Sequence, residues 1–269
     1  MKKSKFLITS LVFLGIILTI SPPTISQIGT YEFHGAAGNQ KILKVRTVDN
    51  ASLADLFGPA DWVNVIEIFG EGAANVGARK KSVVTAVNTS FTYFGYDATN
   101  YTTDNWDWTL GGFSATPDDI GFEVYGLYNP VELTAVINLV WTMNVTVQNA
   151  ALLFAQLPTP VAQYLGAIVW EPKWENIDNT VVHNAEMGDT IFLAGYQYLE
   201  DCTETWTYDE TFGAWISYKI QDNESNTIYE FSIDLTTAAQ IPGFELPIIL
   251  SVSISLTVGL IYIIIKKKR

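Results

Sequence analysis

The sequence predicts an α+β fold: a curved antiparallel sheet covered by helices, with an N-terminal signal helix and one C-terminal transmembrane helix. Three observations predict it. Between Thr180 and Leu235, β-rich runs are separated by short turns bearing Asp, Glu, Asn and Gly, which requires antiparallel neighbours. Earlier in the chain, capped helical stretches interrupt the strands. Both ends carry an apolar run beside clustered cations.

Lys2, Lys3 and Lys5 precede the apolar run Phe6–Ile20, about 15 residues, the length of a signal-peptide core. Ser21, Pro22 and Pro23 stop that helix, and Thr24-Ile25-Ser26 places small polar residues before a cut at Gln27. An uncleaved N-terminal anchor is the alternative, although the run is shorter than the ~20 residues of a full span. Either way, the segment 27–240 faces outward as an extracellular domain, and residues 1–26 are its signal peptide.

Within that domain, Tyr31–Phe33 and Lys41–Val48 read as hairpin strands around a Gly-rich turn at Gly35–Asn39. Ser52–Phe57 and Asp61–Phe69 read as helices. The second places Trp62, Ile66 and Phe69 on one face with Val65 adjoining. Gly70-Glu71-Gly72 ends it, because glycine accepts the positive φ of a helix stop. Lys80–Tyr93 alternates as a long strand. Residues 94–120 are polar and rich in Asp, Asn, Thr and Gly, and read as a long loop with one short strand at most. Gly121–Leu127 is a further strand.

The next helix is marked by Asn129-Pro130-Val131-Glu132, with an N-cap residue, proline at the first helical position and glutamate at the third. Thr159-Pro160 opens another, Val161–Trp170. The meander continues as Thr180–His183, Thr190–Tyr198, Thr203–Tyr208, Ala214–Gln221 and Thr227–Leu235. Ile216, Tyr218 and Ile220 share one face of their strand, as do Tyr229, Phe231, Ile233 and Leu235 of theirs. Residues 241–245 form a linker. Leu246–Ile265 is about 30 Å of apolar helix, the thickness of a bilayer core. Lys266, Lys267, Lys268 and Arg269 form a basic cytoplasmic tail.

The net charge of −13 hides a stronger asymmetry. Seven of the 15 cations sit in the terminal segments, so the outer domain carries eight against 27 acids, about −19. That charge excludes nucleic acid and an anionic membrane surface as partners. It suits a solvated outer face, with weak surface Ca2+ as the only cofactor left open. Cys202 is the single cysteine and forms no intrachain disulfide; a buried small hydrophobe is its expected role. The domain is therefore held by its core, and all eight tryptophans lie within it.

No motif names a reaction. His34 and His183 lack the H-E-x-x-H pairing, and a zinc site needs three or four ligands, so both read as structural. The nucleophile elbow G-x-S-x-G and the Walker sequence are missing. The glycines from Gly70 to Gly77 come after a helix and precede a strand, the reverse of a phosphate loop. The acid pairs Asp118-Asp119, Asp104 with Asp107, and Glu200-Asp201 match no calcium loop. A carboxylate hydrolase would need Asp107, Asp118 or Glu171 to converge in one cleft.

Trp106 and Trp108 lie two residues apart, on one face if the segment is extended, and could stack on a sugar ring; filling the core is the other use of such indoles. Trp170 and Trp174 flank Glu171, Pro172 and Lys173. The glycosylation signal N-x-[ST] occurs at Asn50, Asn88, Asn100, Asn144 and Asn223. Chance supplies about two or three matches in such a composition. Asn100, in the polar loop, and Asn223, in the turn from Asp222 to Asn226, are the most favourable; Asn144 comes after an apolar helix and is expected to be buried.

Pro242-Gly243-Phe244, the apolar helix and the short basic end together resemble the C-terminal anchor of archaeal surface proteins with a Pro-Gly-Phe tail. In that family an archaeosortase can cut near the tripeptide and pass the protein to a lipid. The likeness covers residues 241–269. The outer domain resembles uncharacterised archaeal surface proteins with a late Trp-x-Tyr-Asp hairpin, here Trp206-Thr207-Tyr208-Asp209 followed by Gly213, and this implies no known activity. Three functions result. The first is a non-enzymatic, glycosylated cell-surface protein in envelope structure or recognition, anchored in the lipid bilayer and contacting other surface proteins or glycans. The second is an extracytoplasmic binding module for a lipid, sugar or other small apolar ligand. The third is a secreted hydrolase.

Overall fold

A computed structural model describes residues 30–133, 156–170, 172–189 and 196–234. Nine strands dominate it: β1 Gln40–Val48, β2 Arg79–Tyr93, β3 Tyr96–Thr109, β4 Asp119–Leu127, β5 Trp174–Ile177, β6 Thr180–Ala185, β7 Cys202–Tyr208, β8 Trp215–Gln221 and β9 Thr227–Ile233. They form one antiparallel sheet in the order β4-β3-β2-β1-β9-β8-β7-β6-β5. Two meanders, β1 to β4 and β5 to β9, are thus joined where β1 pairs with β9. The antiparallel sheet agrees with the sequence. The helical cover is thinner than expected: α1 Asn50–Phe57, α2 Trp62–Ile66 and α3 Val161–Gly166 are short.

Local chemistry explains these helices. Asp49 caps α1 by accepting from the backbone N–H groups of Ala51 and Ser52. A 3-10 turn, Glu67–Phe69, continues α2, and Gly70 then leaves it at φ +119, the glycine stop expected from sequence. The carbonyl of Phe69 is held by the Lys80 amine and the Trp108 indole, each at 2.9 Å. Asn129 starts a helical turn as expected, its side-chain oxygen accepting from the Val131 N–H at 3.0 Å.

Three expectations are corrected. Tyr31–Phe33 does not form a hairpin with β1; Glu32 bridges Thr159, while the turn before β1 is bonded to Val84 of β2. The loop expected over 94–120 is mostly the 14-residue strand β3. Its Thr, Tyr and Trp residues favour a pleated surface, and this outweighs the Asp and Asn residues that imitate a loop. Strand β5 is absent from the sequence reading; it pairs with β6 across a turn in which Asp178 adopts φ +52, a conformation Asp and Asn tolerate.

One face of the sheet carries the core. Strand pairing aligns Val181 with Trp206, Trp206 with Tyr218, Tyr218 with Phe231, and Phe231 with Val45. Leu53, Leu56, Phe57, Val65 and Ile66 of α1 and α2 pack on this face, with Tyr164 and Leu165 of α3. Rings set the geometry: Phe69 stands 4.7 Å from Tyr218 and 5.3 Å from Phe231, and Trp108 lies 5.3 Å from Phe231. Edge and tilted contacts of this kind add to plain area burial. Cys202 is buried on the same face, as expected. Among the described residues no helix is long and apolar enough to cross a membrane. The signal segment, Asn144, Glu171, Pro242, Gly243, Phe244 and Leu246–Ile265 lie outside the described residues.

Candidate functional site

Each meander carries one group of polar side chains on the core face. In the β1–β4 half, a cavity of about 80 Å³ opens beside Lys41. Lys41 stands directly opposite Ser82, Val84 opposite Thr103, and Tyr101 opposite Val124, so four adjacent strands supply its floor. Gln156, Phe212 and Ala214 close the far side. The Lys41 ammonium donates to the Trp215 carbonyl at 2.9 Å. No carboxylate lies within ion-pair reach of it among the described residues. Burial, and then the nearby Lys80 cation, push its pKa down to about 8.

Tyr101 is buried, and among the described residues its hydroxyl proton has no acceptor. Burial raises its pKa. Gly35 presses against its ring so closely that a Cβ there would stand 2.3 Å from a ring carbon. The Thr103 hydroxyl is already committed, donating to the Phe122 carbonyl at 3.2 Å. Gln156 likewise donates to the Phe212 carbonyl.

The β5–β9 half has the opposite arrangement. His183 on β6 faces Glu204 on β7, and Nδ1 lies 2.8 Å from Oε2. The other carboxylate oxygen accepts from the Tyr218 hydroxyl of β8 at 2.5 Å. Trp174 of β5 stacks on the imidazole at 4.1 Å and 11°. Burial, then the Glu204 charge, push the Tyr218 pKa well up. The Cys202 thiol is also pushed up, by burial and then by Glu204, Asp201 and Asp189. It is held as the thiol, and the thiolate is the nucleophilic form. The cluster ties three strands together by satisfied hydrogen bonds inside the core.

The sequence-selected residues disperse. Trp106 and Trp108 do not share a face. A bulge lets Arg79 pair with Thr109 while Lys81 pairs with Trp106, and the extra residue turns the two indoles apart. Trp106 lies under Lys81, whose amine is 3.2 Å from the ring centroid. Trp108 enters the core and bonds Phe69. They are 9% and 6% exposed, so the pair forms no open stacking platform.

Asn100 sits inside β3, not in a loop, and is 7% exposed. Asn50, Asn88 and Asn223 are exposed at the start of α1, on β2 and in the β8–β9 turn. The Asp118 carboxylate accepts the Asp107 backbone N–H at 2.8 Å, and Asp104 accepts from Gly121 at 3.1 Å. Both acids therefore pin backbone. Among the described residues no group of three or more His, Cys, Asp or Glu is placed to hold a metal ion.

Sequence reasoning did not select Lys41, Tyr101 or Glu204. A signal existed for two of them. Lys41 precedes Leu43 and Val45 at even spacing, and Glu204 alternates with Cys202, Trp206 and Tyr208, so period two puts both on the buried face. Tyr101 needed the register of β3, which the loop-like composition of that segment hides. Compared with known proteins, the chain matches no family model, no curated protein and no solved structure.

Proposed function

We propose that this chain is a membrane-anchored, glycosylated cell-surface protein of the Pro-Gly-Phe-tail kind, whose sheet domain serves envelope structure or recognition and not catalysis. The observation that carries the reading is the exposure of Asn50, Asn88 and Asn223, since a glycan needs an asparagine the solvent can reach. The apolar run Leu246–Ile265 followed by four cations supports the anchor. The buried bonding of Glu204 and the backbone bonding of Asp118 and Asp104 support a structural use of these acids.

Intact-mass and glycopeptide analysis of the protein from its native membranes tests this reading. The expected result is membrane recovery, a mass above that of the polypeptide, and glycopeptides at Asn223. Asn223→Gln should remove one glycan's mass and leave stability within about 0.5 kcal/mol of wild type, as for an exposed turn. A mass equal to the bare polypeptide contradicts it.

A second reading, an extracytoplasmic binding module, is favoured by the cavity beside Lys41. About 80 Å³ is well below the ~300 Å³ at which pockets for drug-sized ligands begin. That volume suits a small polar ligand in place of a lipid or sugar.

A further inference from the structure

We infer that the cavity beside Lys41 is a binding site for a small carboxylate of acetate to lactate size. The inference deepens the ligand-binding reading and is independent of the membrane anchor. It starts from donors without acceptors. The Lys41 ammonium has three N–H groups, and one is used, by the Trp215 carbonyl. The Tyr101 hydroxyl is buried with no acceptor for its proton. Ser82, directly opposite Lys41, makes no side-chain hydrogen bond among the described residues. Four donor positions thus border one cavity, and a carboxylate offers about four lone-pair sites.

Charge points the same way. Lys41 is half-buried, and a partly desolvated cation without a counter-ion is unfavourable. Lys80 on β2 is the charged group that acts on Lys41, and Tyr101 on β3 lines the same cavity; Asp107 and Asp119 act on Lys80 instead. An anion of protein origin is therefore missing at this point among the described residues, and a ligand carboxylate would supply it. The remaining walls are apolar, with Val84, Val124 and Phe212, and they suit the methyl end of such an acid. The volume admits a handful of heavy atoms, because each water takes about 30 Å³ of liquid. A long acyl chain or an aromatic ring would have to project through the open side of the cavity.

Thermal unfolding of the full chain in detergent tests this, with sodium acetate replacing sodium chloride at constant ionic strength. At pH 6.5 acetate should raise Tm saturably, by about 5–10 °C at a hundredfold excess over Kd. At pH 10, where Lys41 is neutral, the shift should vanish. Lys41→Met should abolish the shift while the protein still folds, and Tyr101→Phe should weaken acetate affinity about tenfold, the worth of one buried hydrogen bond. Benzoate should give a smaller shift. Absence of a saturable shift in wild type overturns the site, as does a shift of equal size in Lys41→Met. An equal response to benzoate overturns the size assignment. Each of these results leaves the glycan and anchor measurements unaffected.

Discussion

Two polar clusters of the sheet, one in each meander, differ in how far their groups are satisfied. In the β5–β9 half, His183, Glu204 and Tyr218 satisfy one another at 2.8 and 2.5 Å under the stacked Trp174. In the β1–β4 half, Lys41 keeps a charge that no carboxylate answers among the described residues, next to an open cavity. Both groups sit on the same face of one continuous sheet. A satisfied polar cluster fixes register and rigidifies a core, whereas an unsatisfied one is a place where a ligand can act. The first cluster is bonded within itself, and the second borders a cavity.

The largest expected effect lies in the turn between β7 and β8, whose Phe212 and Ala214 line the cavity beside Lys41. The Asp209 carboxylate accepts from the N–H groups of Thr211 and Phe212, and Gly213 comes next at φ +68. A Cβ on Gly213 would stand 1.8 Å from the Leu157 carbonyl oxygen. Gly213→Ala should therefore cost about 3 kcal/mol or more in chemical denaturation, combining backbone strain with a steric clash. The wall made by Phe212 and Ala214 should loosen with it.

Glu204→Ala should cost about 2–4 kcal/mol, because it strands the His183 and Tyr218 polar groups in the core. Tyr218→Phe removes only one bond to the cluster and should cost about 1–2 kcal/mol. If both changes proved neutral, the first cluster would lose its distinction.

Lys41→Met runs in the other direction. Removing a half-buried cation that no carboxylate answers should leave the protein as stable as wild type or up to about 2 kcal/mol more stable at pH 6.5. The pH dependence has a definite sign. The folded-state pKa of about 8 lies below the ordinary 10.5, so between these values the unfolded chain binds more protons. Wild-type stability should then rise with pH across that window, and the advantage of the Met variant should fade. Lys81→Ala, which removes the cation from the Trp106 face, should cost least, about 0.5–1 kcal/mol.

Strands β7 to β9 were more legible in the sequence than β2 and β3, for a physical reason. Strands β7, β8 and β9 are short, alternate cleanly and are bounded by turn residues, so period two could be read directly. Strands β2 and β3 are long and repeatedly bulged, with register shifts between Arg79 and Lys81, Val84 and Ala86, and Asn88 and Phe91. Each bulge inverts the parity of the residues beyond it. Simple alternation consequently puts Trp106 and Trp108 on one face, and the polar composition makes Asn100 resemble a loop residue. The helix stop at Gly70 and the N-cap at Asn129 were legible, because each rests on one residue's local chemistry. The Lys41 cavity was not, because it depends on pairing four strands and on segments as distant as Gln156 and Phe212.

The contrast between the halves rests most heavily on the state of Lys41. A pH titration of its side-chain 13Cε resonance in the full chain, assigned with Lys41→Met and recorded without carboxylate buffers, measures that state directly. The account predicts a midpoint near pH 8, moving upward when acetate is added. A midpoint at the ordinary lysine value of about 10.4, indifferent to acetate, would contradict it.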